Sequence, residues 1–224
     1  MQSFFVDHSL IILLSLATLC TFAWFYMQRR RLDLNVWMIA IAAILHTAWG
    51  VLTVKVFAAF EAGFAPGSFG QMSLFGGLFL MPLMYVTAAW FLRLPSSLVF
   101  DIAAPAMLFT LMCARVNCLI SGCCQGLPIH GINMQWPTRE LELVYYIVFL
   151  SLMTPRVARG RTKGEVYPLY MISYGIFRFL IEGFRVSSTS GYLHLAHLWA
   201  ILASFAGVAV YLEQMKGRPN SGKR

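Results

Sequence analysis

The chain reads as an all-α polytopic membrane protein of about seven transmembrane helices, N-terminus outside and C-terminus cytoplasmic. Three observations predict this. The 224 residues are 59% hydrophobic and only 12% charged, with a mean hydropathy of +0.69, whereas apolar residues make up less than half of an ordinary soluble domain. Apolar runs long enough to cross a bilayer recur along the chain. Basic residues gather in alternate connections between those runs, the positive-inside pattern. The expected organisation is a single transmembrane domain over residues 1–212, followed by a basic cytoplasmic tail over 213–224. The net charge of +8 does not point to nucleic acid, because the basic residues lie mostly in short loops, where they orient a membrane protein.

The first run, Ser9–Met27, precedes Arg29, Arg30 and Arg31. It lacks a basic leading segment and a small-residue cleavage site, so it reads as a retained helix rather than a signal peptide. The second run is Val36–Phe57, followed by a polar Ala58–Gly70 loop whose one charge is Glu61. The third is Gln71–Phe91, followed by Arg93, and the fourth is Leu98–Ser121, followed by the Gly122–Thr138 loop. The fifth, Glu140–Met153, precedes Arg156, Arg159, Arg161 and Lys163. The sixth is Val166–Phe184; the seventh is Leu195–Leu212, with Lys216, Arg218, Lys223 and Arg224 beyond it.

In this topology the fourth and sixth runs both travel outward, so Arg115 and Arg178 lie at similar depth in the outer half. An arginine within a span costs roughly 2.5–3.5 kcal/mol on insertion scales and therefore faces a protein interior or a polar cavity. A lone Arg115 reads equally as a helix-capping or snorkelling residue. Two arginines at one depth read as a clamp for a phosphate, which guanidinium groups bind in bidentate fashion. Tyr174, Arg178, Glu182 and Arg185 follow at steps of four, four and three, which places them on one helix face. That stripe is either a pair of mutually neutralised charges or the wall of an interior polar site.

Other features carry two readings as well. Gly76 and Gly77 allow close helix packing or close approach of a ligand to the backbone. Trp136–Glu142 opens the fifth run, with Thr138 as N-cap and acids in the first turn; Glu142 can also turn into a cavity. Cys118, Cys123 and Cys124 cluster near the outer face. Their spacing matches no standard zinc pattern, which leaves buried packing thiols or an outer-face disulfide, and neither a metal nor a cofactor is expected. His46 reads as a hydrogen-bonded core histidine and Lys55 as a snorkelling lysine. His194 and His197 open the last run as possible acid–base groups.

These blocks resemble the bacterial prolipoprotein diacylglyceryl transferases. The resemblance rests on Phe75-Gly76-Gly77, on Arg115–Gly126 with its Gly-Cys-Cys-x-Gly ending, on Pro137-Thr138 with Glu142, on Tyr174–Arg185 and on the start of the seventh run. They follow the family's order and cover most of the chain from the third run onward; the first two runs match in hydropathy alone. The resemblance implies a seven-span protein of the bacterial inner membrane, with phosphatidylglycerol, a lipobox-type peptide or protein thiol and the lipid bilayer as partners. The diacylglyceryl group moves to the thiol and glycerol phosphate leaves. Arg115 and Arg178 would hold the headgroup phosphate, Gly126 would keep the loop close to it, Tyr174 would position the site, and Glu182 and Arg185 would complete the polar wall. The sequence also departs from the pattern. Phe75 stands where the family has a functional histidine, Cys118 where it often has asparagine, and His197 where it has a glutamine; Ile11-Ile12 replaces a tyrosine–glycine pair. His197 is thus the remaining candidate base for the thiol, and a non-catalytic lipid-binding or scaffold protein is the alternative expectation.

Overall fold

The computed structural model describes residues 2–129, 131, 133–185 and 195–216. Its elements are α1 (Gln2–Met27), α2 (Arg29–Leu32), α3 (Val36–Glu61), a 3-10 turn (Ser68–Gly70), α4 (Leu74–Leu92), α5 (Ser96–Ser121), α6 (Thr138–Ala158), α7 (Val166–Glu182) and α8 (Leu195–Lys216). No strand forms among the described residues, only the isolated bridges Gly126–Arg185 and Pro128–Gln135. Six helices are long and apolar enough to cross a membrane: α1 from His8, then α3, α4, α5, α6 and α8. Helix α7 has 17 residues and carries the charged stripe.

Several boundaries differ from the sequence expectation. Helix α3 continues to Glu61 instead of ending at Phe57, which makes Glu61 its last residue rather than a loop acid. Helix α8 continues past Leu212, the expected end of the seventh run, to Lys216. Thr138 is the first helical residue of α6, not its cap, and its buried hydroxyl makes no hydrogen bond. Pro137 occupies the cap position instead, and its missing N–H is no loss at a helix start. His194, Arg218, Lys223 and Arg224 lie outside the described residues.

Helix α5 is the centre. It packs against α1, α4, α6 and α7, and 61% of its apolar stretch is buried, against 22% in α1 and α8. The outward faces of the surrounding helices stay apolar, with Trp37, Trp90, Phe91 and Phe205 largely exposed. Such a surface suits lipid rather than water. Helices α7 and α8 approach closely: a Cβ on Gly175 would overlap Ser204 and the Ala200 carbonyl, and one on Gly207 would lie 2.9 Å from the Pro168 carbonyl oxygen. Small residues at a helix seam are how membrane helices gain contact without a hydrophobic driving force.

Two contacts set the position of α7. Its first turn is held from α5, where the buried Asp101 carboxylate accepts from Gly164 N at 2.6 Å and Val166 N at 3.0 Å. A carboxylate there satisfies the orphan donors of a helix start and matches its dipole. Pro82 within α4 cannot donate to the Leu78 carbonyl one turn earlier, and the Tyr167 hydroxyl of α7 donates to that carbonyl instead. The basic connections meet at this end of the bundle: Arg31 Nη1 donates to the Val157 carbonyl at 2.6 Å. Arg115 and Arg178 lie toward the opposite end of α5 and α7.

His46 is hydrogen-bonded in the core, as read from the sequence. His46 is buried with Nε2 at 3.1 Å from the Tyr85 hydroxyl, and Lys55 Nζ donates to the Phe69 carbonyl at 3.3 Å.

Candidate functional site

The site grows around Glu142, which the sequence presents as an ordinary first-turn acid. It is 1% exposed. Arg115 of α5 brings Nη2 to 2.8 Å from Glu142 Oε1, and Arg178 of α7 brings Nη1 to 3.6 Å from Oε2. Two tyrosine hydroxyls donate to the same Oε1, Tyr174 at 2.9 Å and Tyr146 at 3.2 Å. Arg178 Nη2 also pairs with Glu182 Oε2 at 2.7 Å, and Arg185 Nη1 reaches that oxygen at 3.8 Å. The four-residue step along α7 therefore builds a real pair. Arg115 and Arg178, expected at one depth, meet on one carboxylate.

Three guanidiniums thus pair directly with two carboxylates, and the Glu61 carboxylate shares their cavity. Buried charges are tolerated only when paired and hydrogen-bonded. The pairing here is incomplete: Arg115 Nε and Arg178 Nη1 are buried without a hydrogen-bond partner. Arg178 Nη1 keeps its ion contact with Glu142 at 3.6 Å, and guanidinium donors not used in hydrogen bonds can take an anion.

Both arginines line a cavity of about 260 Å³. Arg185, Glu61, Ser73, Cys118 and Cys124 also line it, together with the apolar Leu10, Leu14, Val51, Met81 and Met107. A space lined both by guanidiniums and by aliphatic side chains fits an anionic amphiphile. Glu61 was missed as a site residue because it lies far along the chain; it is turned toward the Ser73 hydroxyl and the Arg178 guanidinium. Asn117 also lines the cavity and accepts from Ser9 Oγ at 2.7 Å.

The remaining candidates fall in different places. Phe75 is buried at the cavity wall, with Arg178 Cζ 5.9 Å above its ring, a distance at which the ring face attracts the cation. Gly77 lines the cavity, whereas Gly76 belongs to packing: a Cβ there would overlap the Thr53 carbonyl and approach Phe57 Cβ to 2.7 Å. Gly126 belongs to the loop architecture. A Cβ on it would overlap the Trp136 carbonyl. Its bridge to Arg185, with Leu127 N donating to Phe184 O at 2.8 Å, ties the 122–138 loop to the end of α7. His197 is buried edge-on against Phe179, ring centroids 5.1 Å apart, and is not among the described residues that line the cavity.

The cysteines are free thiols. Gly122 ends α5 at φ +70°, and Cys124 follows at φ +58°. These left-handed residues turn the chain back on α5, so the sulfurs of Cys118, Cys123 and Cys124 all lie within 4.8 Å of one another. Cys118 and the guanidiniums of Arg185 and Arg115 hold the Cys124 thiol below the usual thiol range. The irregular sequence spacing conceals this gathering.

The comparisons agree with this picture. Residues 7–213 match the family described as prolipoprotein diacylglyceryl transferase. A phosphatidylglycerol–prolipoprotein diacylglyceryl transferase 2 of Clostridium perfringens (strain 13 / Type A) is 23% identical over 142 residues, covering 55% of each protein. A phosphatidylglycerol–prolipoprotein diacylglyceryl transferase of Finegoldia magna is 26% identical over 203 residues, covering 83% of this chain and 79% of the relative. A similarly named protein of Dehalococcoides mccartyi (strain ATCC BAA-2100) is 19% identical over 237 residues, covering 95% and 91%.

Proposed function

Because the chain belongs to the prolipoprotein diacylglyceryl transferase family, we propose that it is a multi-pass inner-membrane enzyme moving the diacylglyceryl group of phosphatidylglycerol to a cysteine thiol of a lipobox-type peptide or protein. The observation that carries this reading is the pair of buried guanidiniums, Arg115 and Arg178, in the wall of a cavity whose lining is otherwise largely apolar. The guanidiniums of Arg115 and Arg178 complement the negative charge of a phosphodiester, and the aliphatic part of the cavity lining receives the start of the acyl chains.

In the reaction, the acceptor sulfur forms a C–S bond to the glycerol carbon next to the phosphate. The C–O bond breaks and its electron pair goes to the phosphate oxygen of the departing glycerol phosphate, which gains a second negative charge. Arg115 and Arg178 are already aimed at that oxygen's surroundings, and donors fixed before charge develops are the strongest form of transition-state stabilisation. Glu142 and the Tyr174 and Tyr146 hydroxyls hold Arg115 in place from behind. Glu182 does the same for Arg178 and Arg185, and Gly126 keeps Arg185 against the loop. In this reading the site end of the bundle, with the Gly122–Thr138 loop, faces outward, and the chain crosses the membrane seven times with α7 as the sixth span.

Phe75 favours a second reading, a family member that binds the lipid without transferring it, since the ring cannot take a proton from the thiol. The experiment is a transfer assay with phosphatidylglycerol and a lipobox peptide in nanodiscs. Arg115→Met and Arg178→Met are expected to lose both lipid binding and transfer, and Arg93→Ala to lose neither. Lipid binding without transfer in the wild type selects the second reading; equal effects at Arg93 and Arg115 reject both.

A further inference from the structure

The phosphate end of the site has its groups in place, but the thiol end lacks a proton acceptor where the family has its histidine. We propose that Cys118, Cys123 and Cys124 form a three-thiolate site for a thiophilic divalent ion of the zinc class, whose open fourth position takes the acceptor thiol; this rests on the transferase reading above.

The geometry is close to that required. Zinc–sulfur bonds of about 2.3 Å put the sulfurs of a three-thiolate site about 3.8–4.0 Å apart, and these three already lie within 4.8 Å. The turn through Gly122 and Cys124 that gathers them holds two residues in the left-handed region, so the gathering is built by the backbone and not by a chance of rotamers. Three protein ligands plus an open position is the pattern of catalytic rather than structural zinc sites. The open side has a direction: Cys118 and Cys124 line the cavity shared by Arg115 and Arg178, and Cys123 is exposed. Three thiolates with a divalent ion carry one net negative charge, and Cys118 and Cys124 share the cavity wall with the guanidiniums of Arg115 and Arg185.

The site supplies what Phe75 cannot. A thiol that coordinates such an ion is deprotonated outright. The acceptor thiol would release its proton to solvent on binding, and the bound thiolate would use a sulfur lone pair to form the C–S bond. The C–O bond electrons then leave with glycerol phosphate, as above, and the thioether, a weaker ligand, dissociates. No oxidant or reductant takes part.

The test uses the full chain in nanodiscs, reduced, stripped with chelator and titrated with Cd(II), whose thiolate charge-transfer absorption reports bound sulfur. One ion per chain is expected. A cysteine-containing lipobox peptide should raise the absorption and its serine analogue should not. Cys118→Ser and Cys124→Ser should weaken Cd(II) binding by more than about tenfold, since losing even a supporting partner of a ligand costs 10–100-fold, while unchanged helix content by circular dichroism shows that the variants are folded. Cys20→Ser should bind as the wild type does. Zn(II) should restore transfer to chelated protein. The proposal is overturned if no charge-transfer band forms, if the band survives both serine variants, if it ignores the cysteine peptide, or if chelated protein transfers at full rate. Failure of the transferase reading is read separately, as absent phosphatidylglycerol binding and absent transfer with and without metal.

Discussion

Replacing Glu142 with glutamine should move stability and lipid affinity in opposite directions. Glutamine keeps the shape and an oxygen for the Tyr174 and Tyr146 hydroxyls but removes the charge that Arg115 meets at 2.8 Å and Arg178 at 3.6 Å. With an effective dielectric of about 20, each of those attractions is worth roughly 4–6 kcal/mol. Part of that is returned, because the carboxylate no longer has to be desolvated, and breaking a buried pair from one side costs about 3–5 kcal/mol in measured cases. The same substitution removes one negative charge from the cluster, so an anionic lipid gains a partner the carboxylate had held. Thermal melting of the purified protein in detergent, with and without phosphatidylglycerol, reads both effects. Glu142→Gln should melt well below wild type without lipid, and phosphatidylglycerol should raise its midpoint by more than it raises that of wild type, since ligand stabilisation follows affinity. A variant as stable as wild type, or one that lipid protects less, refutes the reasoning. Adding Arg115→Met should recover much of the lost stability and abolish the extra lipid response, because removing a whole buried pair is far milder than removing half of it.

Other outcomes follow from the supporting structure. Gly126→Ala must push the Trp136 carbonyl away, so it should release the 122–138 loop, which increased proteolysis of that loop would show, and reduce transfer with little change in helix content. Asp101→Ala strands the Gly164 and Val166 donors at the start of α7, and should cost about 1–3 kcal/mol in stability, the penalty for buried donors left open, measured by denaturant titration. In intact cells, an impermeant thiol reagent should label Ile129→Cys and not Arg159→Cys; the reverse pattern inverts the topology.

How far the sequence reveals this depends on the range of the interaction. The helices were legible because hydropathy and basic connections are local properties; α5 and α7 begin and end close to where the pattern places them. The Arg178–Glu182 pair was legible because four residues make one helical step. Glu142 was only half legible: an acid in a first turn already has a sufficient explanation in the helix dipole, and its real partners come from two other helices. Glu61 and Asp101 were not legible, since nothing near them in the chain names Ser73, Arg178 or Gly164. The three cysteines were visible as neighbours, but the convergence of their sulfurs depends on two left-handed residues, one of them not glycine, and sequence spacing carries no trace of that.

The Pro82–Tyr167 contact makes two distant positions into one heritable unit. While Pro82 stands in α4, the Leu78 carbonyl depends on the Tyr167 hydroxyl. A phenylalanine at 167 leaves that carbonyl bare in the apolar interior, whereas an alanine at 82 adds an N–H that the carbonyl's second lone pair can accept. The tyrosine should therefore be lost only in descendants of this chain that have already replaced the proline.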